Sequence, residues 1–170
     1  MIMYMEIGTH IAIQILAHNR MILEGNMRYR MMEEADICKV VPLYMEYYNH
    51  YEDGQWTVEN TTKRIRQVLS REDAYCLVLE DHDGILAFAM GYFEQYDDCF
   101  AYDLVEIVVS AEKQNQGIGT AFMVELEKRV KAEGAMLIQL QAVNDGLHAH
   151  FYGKLGYRNA VNLVLKTKML

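Results

Sequence analysis

Residues 103–123 read DLVEIVVSAEKQNQGIGTAFM, and the change of pattern inside this stretch decides the fold. Leu104 to Val109 is rich in β-branched residues (Val105, Ile107, Val108, Val109) and reads as a strand. From residue 118 the period changes: Ile118, Phe122, Leu126 and Val130 recur every fourth residue and make one apolar helical stripe. Between them lies a polar loop, Ser110 to Gln116, that becomes a helix at Gly117. Glycines at 117 and 119 remove side chains where something must approach the backbone closely. The first amides of a helix have no internal partner and together carry roughly half a positive charge. Such a turn suits a phosphate or pyrophosphate, although two glycines alone equally suit a helix start that binds nothing. No Lys-Ser/Thr pair follows, so this is not a P-loop. It also lacks the third glycine and distal acid of a dinucleotide fingerprint.

Working outward, Gly134 is a natural residue to follow the helix, and Met136 to Val143 reads as the next strand. A strand-helix-strand crossover implies that this strand runs parallel to the central one. A short helix spans about Gly146 to Leu155. Gly156-Tyr157 then turns the chain into a final pair of strands, around Tyr157 to Ala160 and Leu163 to Lys168. Upstream, Met27 to Met32 reads as a first strand, and a helix follows from about Asp36, with Pro42 forcing a break or restart. Thr57 reads as the N-cap of a helix to about Ser70. Ala74 to Glu80, the turn Asp81-His82-Asp83-Gly84, and Ile85 to Glu94 form a hairpin. A second turn near Asp97-Asp98 leads into the central strand, giving a three-stranded antiparallel meander. Gly91 inside a strand marks a bulge or a close approach.

The Q-x-x-G-x-G run at Gln114–Gly119, the strand before it, and Phe151-Tyr152-Gly153-Lys154-Leu155-Gly156-Tyr157 after it together resemble the GNAT superfamily of N-acetyltransferases. The resemblance in order and spacing covers roughly residues 27 to 168. It implies an α/β (α+β) fold: a central mixed sheet of about seven strands, an antiparallel N-terminal meander, parallel strands four and five that splay apart, and about four flanking helices. Residues 27–170 would form the domain. Residues 1–26 would be an N-terminal extension, packed on the domain or at the subunit contact of a homodimer. The implied function is acetyl-CoA-dependent N-acetylation of a primary amine, by direct transfer in a ternary complex.

The resemblance assigns coenzyme contacts to Gln114, Asn115, Gln116, Gly117, Ile118, Gly119 and Thr120 for the pyrophosphate. It assigns Ile107, Val108 and Val109 to the pantetheine arm, with the Val109 amide as candidate oxyanion donor. Tyr152 matches the general acid that protonates the departing thiolate, a role a phenol suits because it stays protonated at neutral pH. Asp103 and Glu106 are the candidate bases, and either could instead only attract the cation. Two departures stand out. Gln114 replaces a frequent Arg, which leaves the phosphate more dependent on amides. The family's Asn falls at Asp145, with Asn144 one residue early as the remaining candidate for that coenzyme contact.

Composition bounds the rest. A net charge of −8 argues against nucleic acid as a partner, because phosphate binding needs a basic face. No apolar run reaches the ~20 residues of a membrane helix, and the N-terminus makes a poor signal peptide. Cys38, Cys76 and Cys99 have no metal or redox spacing, which points to a reducing cytoplasm. His148 and His150 are two apart on a short helix, on different faces, so no metal is expected there.

Between Arg71 and Lys113 there are eleven acids and no Lys or Arg. Glu94, Asp97, Asp98, Asp103 and Glu106 crowd the third and fourth strands. They form either a solvated acidic hairpin or a field that gathers a cationic amine. The stretch Tyr44-Met45-Glu46-Tyr47-Tyr48-Asn49-His50-Tyr51-Glu52-Asp53-Gly54-Gln55-Trp56 is either an amphipathic core or a substrate wall whose rings and carboxylates hold an ammonium. Tyr48, Tyr51, Glu52 and Trp56 are its candidate substrate contacts, since in GNAT proteins this connection borders the acceptor site. The expected acceptor is a small cationic amine, such as a polyamine or aminoglycoside-like compound. A protein N-terminus or lysine is the alternative, and an acyl-CoA-binding regulatory module is the non-enzymatic one.

Overall fold

The structure is a computed structural model that describes residues 12–13, 15–16 and 26–170. Residues 12–13 and 15–16 are helical; the expectation of an added element or subunit contact in residues 1–26 lies mostly outside the described residues. In chain order the elements are β1 (Arg28–Met31), a 3-10 turn (Glu34–Asp36), α1 (Ile37–Tyr51), α2 (Val58–Leu69), β2 (Leu77–Glu80), β3 (Ile85–Gln95) and β4 (Phe100–Val109). A second 3-10 turn (Ala111–Lys113) precedes α3 (Ile118–Ala132), β5 (Leu137–Leu140) and α4 (Gly146–Lys154).

One sheet carries the strands in the order β1-β2-β3-β4-β5, antiparallel except for the parallel pair β4 and β5. Its two faces follow from the period-two geometry of a strand. Leu77, Leu79, Ala87 and Ala89 point to the α3 and α4 side, where Ile118, Phe122, Leu126 and Val130 bury their stripe. The intervening Cys76, Val78, Phe88 and Met90 point to α1 and α2, against Val40, Val41, Tyr44 and Ile65. Since β3 is covered on both sides, its sequence reads as a continuous apolar run rather than an alternating one.

Three expectations need correction. Among the described residues the sheet has five strands, not seven: no strand forms after α4, and Val161, Leu163, Val164 and Leu165 are exposed. A strand needs one face to bury. The run Leu163-Val164-Leu165 is apolar on both faces and packs neither. Pro42 does not break its helix, because α1 passes through it. Pro42 and Cys38 both lie on the exposed face, where water can satisfy the Cys38 carbonyl left without a donor, while Val40, Val41 and Tyr44 bury the opposite face. Finally, β5 stops at Leu140 instead of continuing to Val143, since its ladder with β4 ends there.

Candidate active site

The ladder between β4 and β5 covers Ala101 with Leu137 through Leu104 with Leu140. Beyond that pair the strands part, and Val105–Val109 run on with no strand beside them on that side among the described residues. The hydrogen-bonding phase of β4 against β3 is fixed by the Ser110 amide, which donates to the Leu86 carbonyl at 2.8 Å. Alternation in an antiparallel ladder then commits Val108 to β3 and turns the N–H and C=O of Ile107 and Val109 toward the fork. Free strand-edge groups facing a gap can take an extended amide chain as an added strand. The expected splay is therefore present.

A bulge sets the opposite face. Met90 pairs with Glu106 and Gly91 with Leu104, leaving Val105 without a partner. One extra residue re-aims the side chains that follow. Glu106 therefore turns to the α1–α2 side rather than into the α3 core. There it is only 7% exposed and accepts from Tyr44 at 3.1 Å, from Tyr48, and from Arg64 Nη2 at 3.0 Å and Nε at 3.2 Å. Burial, reinforced by the Glu106 charge, pushes the Tyr44 and Tyr48 hydroxyls far above the ordinary phenol range, so both stay donors. Gly91 is where the bulge demands room: a Cβ there would sit 2.4 Å from both the Asp103 carbonyl and the Tyr102 hydroxyl.

The mouth of the fork is a cleft of about 80 Å³, lined by Tyr47, Tyr48, Glu52, Glu106, His148 and Tyr152 among others. Tyr152 comes from α4, whose N-cap is Asp145: its carboxylate accepts the His148 amide at 2.8 Å. Burial first, then the Glu106 charge, pushes the Tyr152 hydroxyl up to about 12. His148 lies four residues earlier, on the same helical face. Its ring Nδ1 is 2.9 and 3.0 Å from the Asp145 oxygens, and its Nε2 is 3.4 Å from the Tyr47 hydroxyl and 3.7 Å from Glu52 Oε1.

At the other end, α3 begins at Gly117, whose φ of 82° favours glycine. No side chain caps this helix, and its first amide hydrogen bond runs from Ala121 to the Gly117 carbonyl, which leaves the amides of Ile118, Gly119 and Thr120 without acceptors among the described residues. A phosphate fits that unfilled demand. Gln114 does not point there, since its Nε2 donates to the Val109 carbonyl at 3.1 Å and braces the loop against the strand end. Gln116 likewise donates to the Glu112 carbonyl at 2.9 Å, and Asn115 is exposed with φ 58°.

The remaining sequence candidates divide. Tyr48 and Glu52 line the cleft. Trp56 packs on Tyr44 with ring centroids 4.9 Å apart and buttresses the wall from behind, while Tyr51 is 54% exposed and outside the lining. Asp103 sits below the fork, accepts from Gln139 at 3.2 Å, and has its carboxyl pushed up by burial. Asn144 is exposed beside the helix cap, so the departure at Asp145 serves as a cap. The acidic window also divides: Asp97 and Asp98 are solvated, whereas Glu106 is buried and held by an arginine from outside the window. Sequence reasoning missed two residues, Arg64 and His148 as a cleft residue, and it named Tyr47 only as part of the tyrosine stretch and not as a substrate contact. The four-residue spacing of His148 and Tyr152 was a readable signal. Arg64 had none, because its partner is 42 residues away.

Residues 72–159, from just after α2 to just past α4, match the acetyltransferase (GNAT) domain family. The chain belongs to the GNAT acetyltransferase family. The uncharacterized protein YxbD of Bacillus subtilis (strain 168) is 33% identical over 98 residues, 54% of this chain; the matched part is 58% of that relative's length. Among solved structures, a possible acetyltransferase from Clostridium difficile 630 superposes with TM-score 0.74 at 15% identity, over 85% of this chain and 98% of that one. An aminoglycoside acetyltransferase from an uncultured soil metagenomic sample, in complex with sisomicin, gives 0.69 at 16% identity, over 87% and 99%. At such identities the likeness is one of GNAT fold, and the site geometry has to carry the chemistry.

Proposed function

We propose that this GNAT protein transfers an acetyl group from acetyl-CoA to a small cationic amine, polyamine-like or aminoglycoside-like, by direct transfer in a ternary complex. The observation that carries the reading is the fork beyond Leu104 and Leu140, which opens onto a cleft walled by phenols and carboxylates. The amides of Ile118, Gly119 and Thr120 would hold the pyrophosphate at one end. Ile107 would pair with the pantetheine arm through its outward backbone groups, while the Val109 carbonyl is held by Gln114. Acetyl-CoA supplies an acyl thioester. The Val109 amide, turned toward the fork, would donate to the developing oxyanion, and Tyr152, which lines the cleft, would give its proton to the departing sulfur. The tyrosine wall excludes water from a thioester that water would otherwise hydrolyse. Glu52, beside the Tyr47 hydroxyl at 3.2 Å, is the carboxylate offered to the ammonium.

The test is thiol release from acetyl-CoA by the full chain, with spermidine, kanamycin and a lysine-containing peptide as acceptors. Acceleration by spermidine or kanamycin is expected. Acceleration by the peptide alone would reassign the protein to polypeptide acetylation. Coenzyme binding with no acceleration by any amine would leave an acyl-CoA-binding module. A homodimer is part of the same proposal, supported by the unpaired outer edge of β5 and the exposed Met136 and Leu137 beside it. Sedimentation equilibrium showing a monomer at every concentration would remove it.

A further inference from the structure

We propose that His148 is the general base of the reaction, taking the proton of the acceptor ammonium at Nε2, with Asp145 as the positioning residue that fixes the imidazole. The inference rests on the acetyl-transfer reading above and replaces both carboxylates that the family resemblance offers.

The ring's orientation follows from its partners. Both Asp145 oxygens lie within 3.0 Å of Nδ1, and an ionised carboxylate can only accept. Asp145 is held ionised, its carboxyl kept low chiefly by the His148 amide and then by the ring. Nδ1 therefore carries the hydrogen, and the lone pair of the neutral ring sits on Nε2. That nitrogen faces the cleft beside the Tyr47 hydroxyl of α1 and Glu52 at the end of that helix, two groups able to flank an ammonium. Glu106 of β4 and Tyr152 of α4 line the same cleft. The acid thus stands one helical turn from the base, on one rigid element.

The two carboxylates are poorly placed for the task. Glu106 is already engaged, its Oε1 by Tyr44 and Arg64 and its Oε2 by Tyr48, so an incoming ammonium would have to share its charge with an arginine. Asp103 lies in the closed part of the sheet and does not line the cleft.

The step balances as follows. His148 Nε2 takes one proton from the ammonium, and the freed amine attacks the thioester carbonyl carbon, forming the C–N bond. As the C–S bond breaks, the sulfur takes the Tyr152 proton. The second nitrogen proton is lost as the amide forms; one proton restores Tyr152 and one leaves to solvent. An imidazolium at His148 also places positive charge near Tyr152 when its proton must move, which eases a transfer that a buried phenol resists.

The first test does not depend on turnover. ¹⁵N NMR of the wild-type protein should show His148 as the Nδ1–H tautomer, and Asp145→Asn, which retains a capping side chain, should lose that preference. The second is the pH dependence of kcat/KM, using whichever of spermidine or kanamycin is acetylated. The wild type should lose activity toward acid pH, where a protonated His148 can no longer accept. His148→Gln should lose that limb and 10²–10⁴-fold in rate, with acetyl-CoA affinity and melting temperature retained. His148→Ala should recover activity on addition of imidazole. An active wild type with an Nε2–H tautomer, or a His148→Gln variant within threefold of wild type that keeps the acid limb, overturns the inference and leaves acetyl transfer standing. A wild type that acetylates no amine overturns both.

Discussion

Glu106 owes its position to the residue before it. Were β4 regular, the side chain two beyond Leu104 would face the α3 core; the unpaired Val105 sends it to the opposite layer. Gly91 is what allows the kink. Gly91→Ala should cost roughly 2–3 kcal/mol, near the upper range for overpacking, because the clash is partly with backbone. A urea midpoint unchanged by the substitution would refute this. Removing one partner of a fully buried ion pair costs about 3–5 kcal/mol. With the Arg64 side chain 37% exposed, Glu106→Gln should cost less, about 2 kcal/mol, and weaken acceptor binding without removing a pH limb. Tyr152→Phe, by contrast, should lower turnover 10²–10⁴-fold with little change in acetyl-CoA affinity. Stopped-flow turnover with a parallel binding titration separates the two effects, and unchanged turnover removes Tyr152 from the mechanism.

At the scale of elements, the start of α1 depends on an ion cluster of Arg30, Asp36 and Glu80, with Arg28 also on Glu80 at 2.6 Å. Arg30 of β1 donates to Asp36 at 2.5 and 2.8 Å and to Glu80 of β2 at 2.6 and 2.9 Å, tying the helix entry to the edge of the sheet. The Arg30 guanidinium holds both carboxyls below their usual range. A depressed folded-state value stabilises above the unfolded value, about 4, and that stability is lost as pH falls through the folded value. Acid unfolding should therefore begin below about pH 4. Arg30→Met should flatten the dependence in that window while leaving the slope above pH 6 alone. Thermal melts at pH 3, 4 and 7 measure it; identical pH dependence in the two proteins would refute the assignment. The α4 helix works differently: nine residues long, it takes its register from Asp145, and that register puts His148 and Tyr152 on one face.

Across the whole molecule, two cores clamp β2, β3 and β4, while β5 is held at only four positions. The fork therefore opens at the least supported end of the sheet. A ligand pairing along both sides of it should stabilise the fold. At a hundred times its dissociation constant, acetyl-CoA would add about 2.7 kcal/mol, which for a chain of this size raises the melting temperature by roughly 5–10 °C. Differential scanning fluorimetry with and without acetyl-CoA reads this directly, and no shift at millimolar coenzyme would count against the binding mode.

Much of this was legible in the sequence because it rests on local rules. Strand and helix periods placed β4 and α3, Thr57 named the cap of α2, and Gly91 flagged the bulge. The Gln114–Gly119 and Phe151–Tyr157 runs pointed to the family. Pairing was not legible. The chain's alternation could not say that Leu163 to Lys168 finds no strand to join, nor that β5 leaves β4 at Leu140. Electrostatic partnership was equally hidden, because Arg64 meets Glu106 across 42 residues, and only folding pairs the buried carboxylate with an arginine and leaves the His148 imidazole facing the cleft. Periods, caps and glycines act within a few residues and can be read in one dimension. Desolvation and charge pairing depend on distances between elements, which exist only once the sheet has assembled.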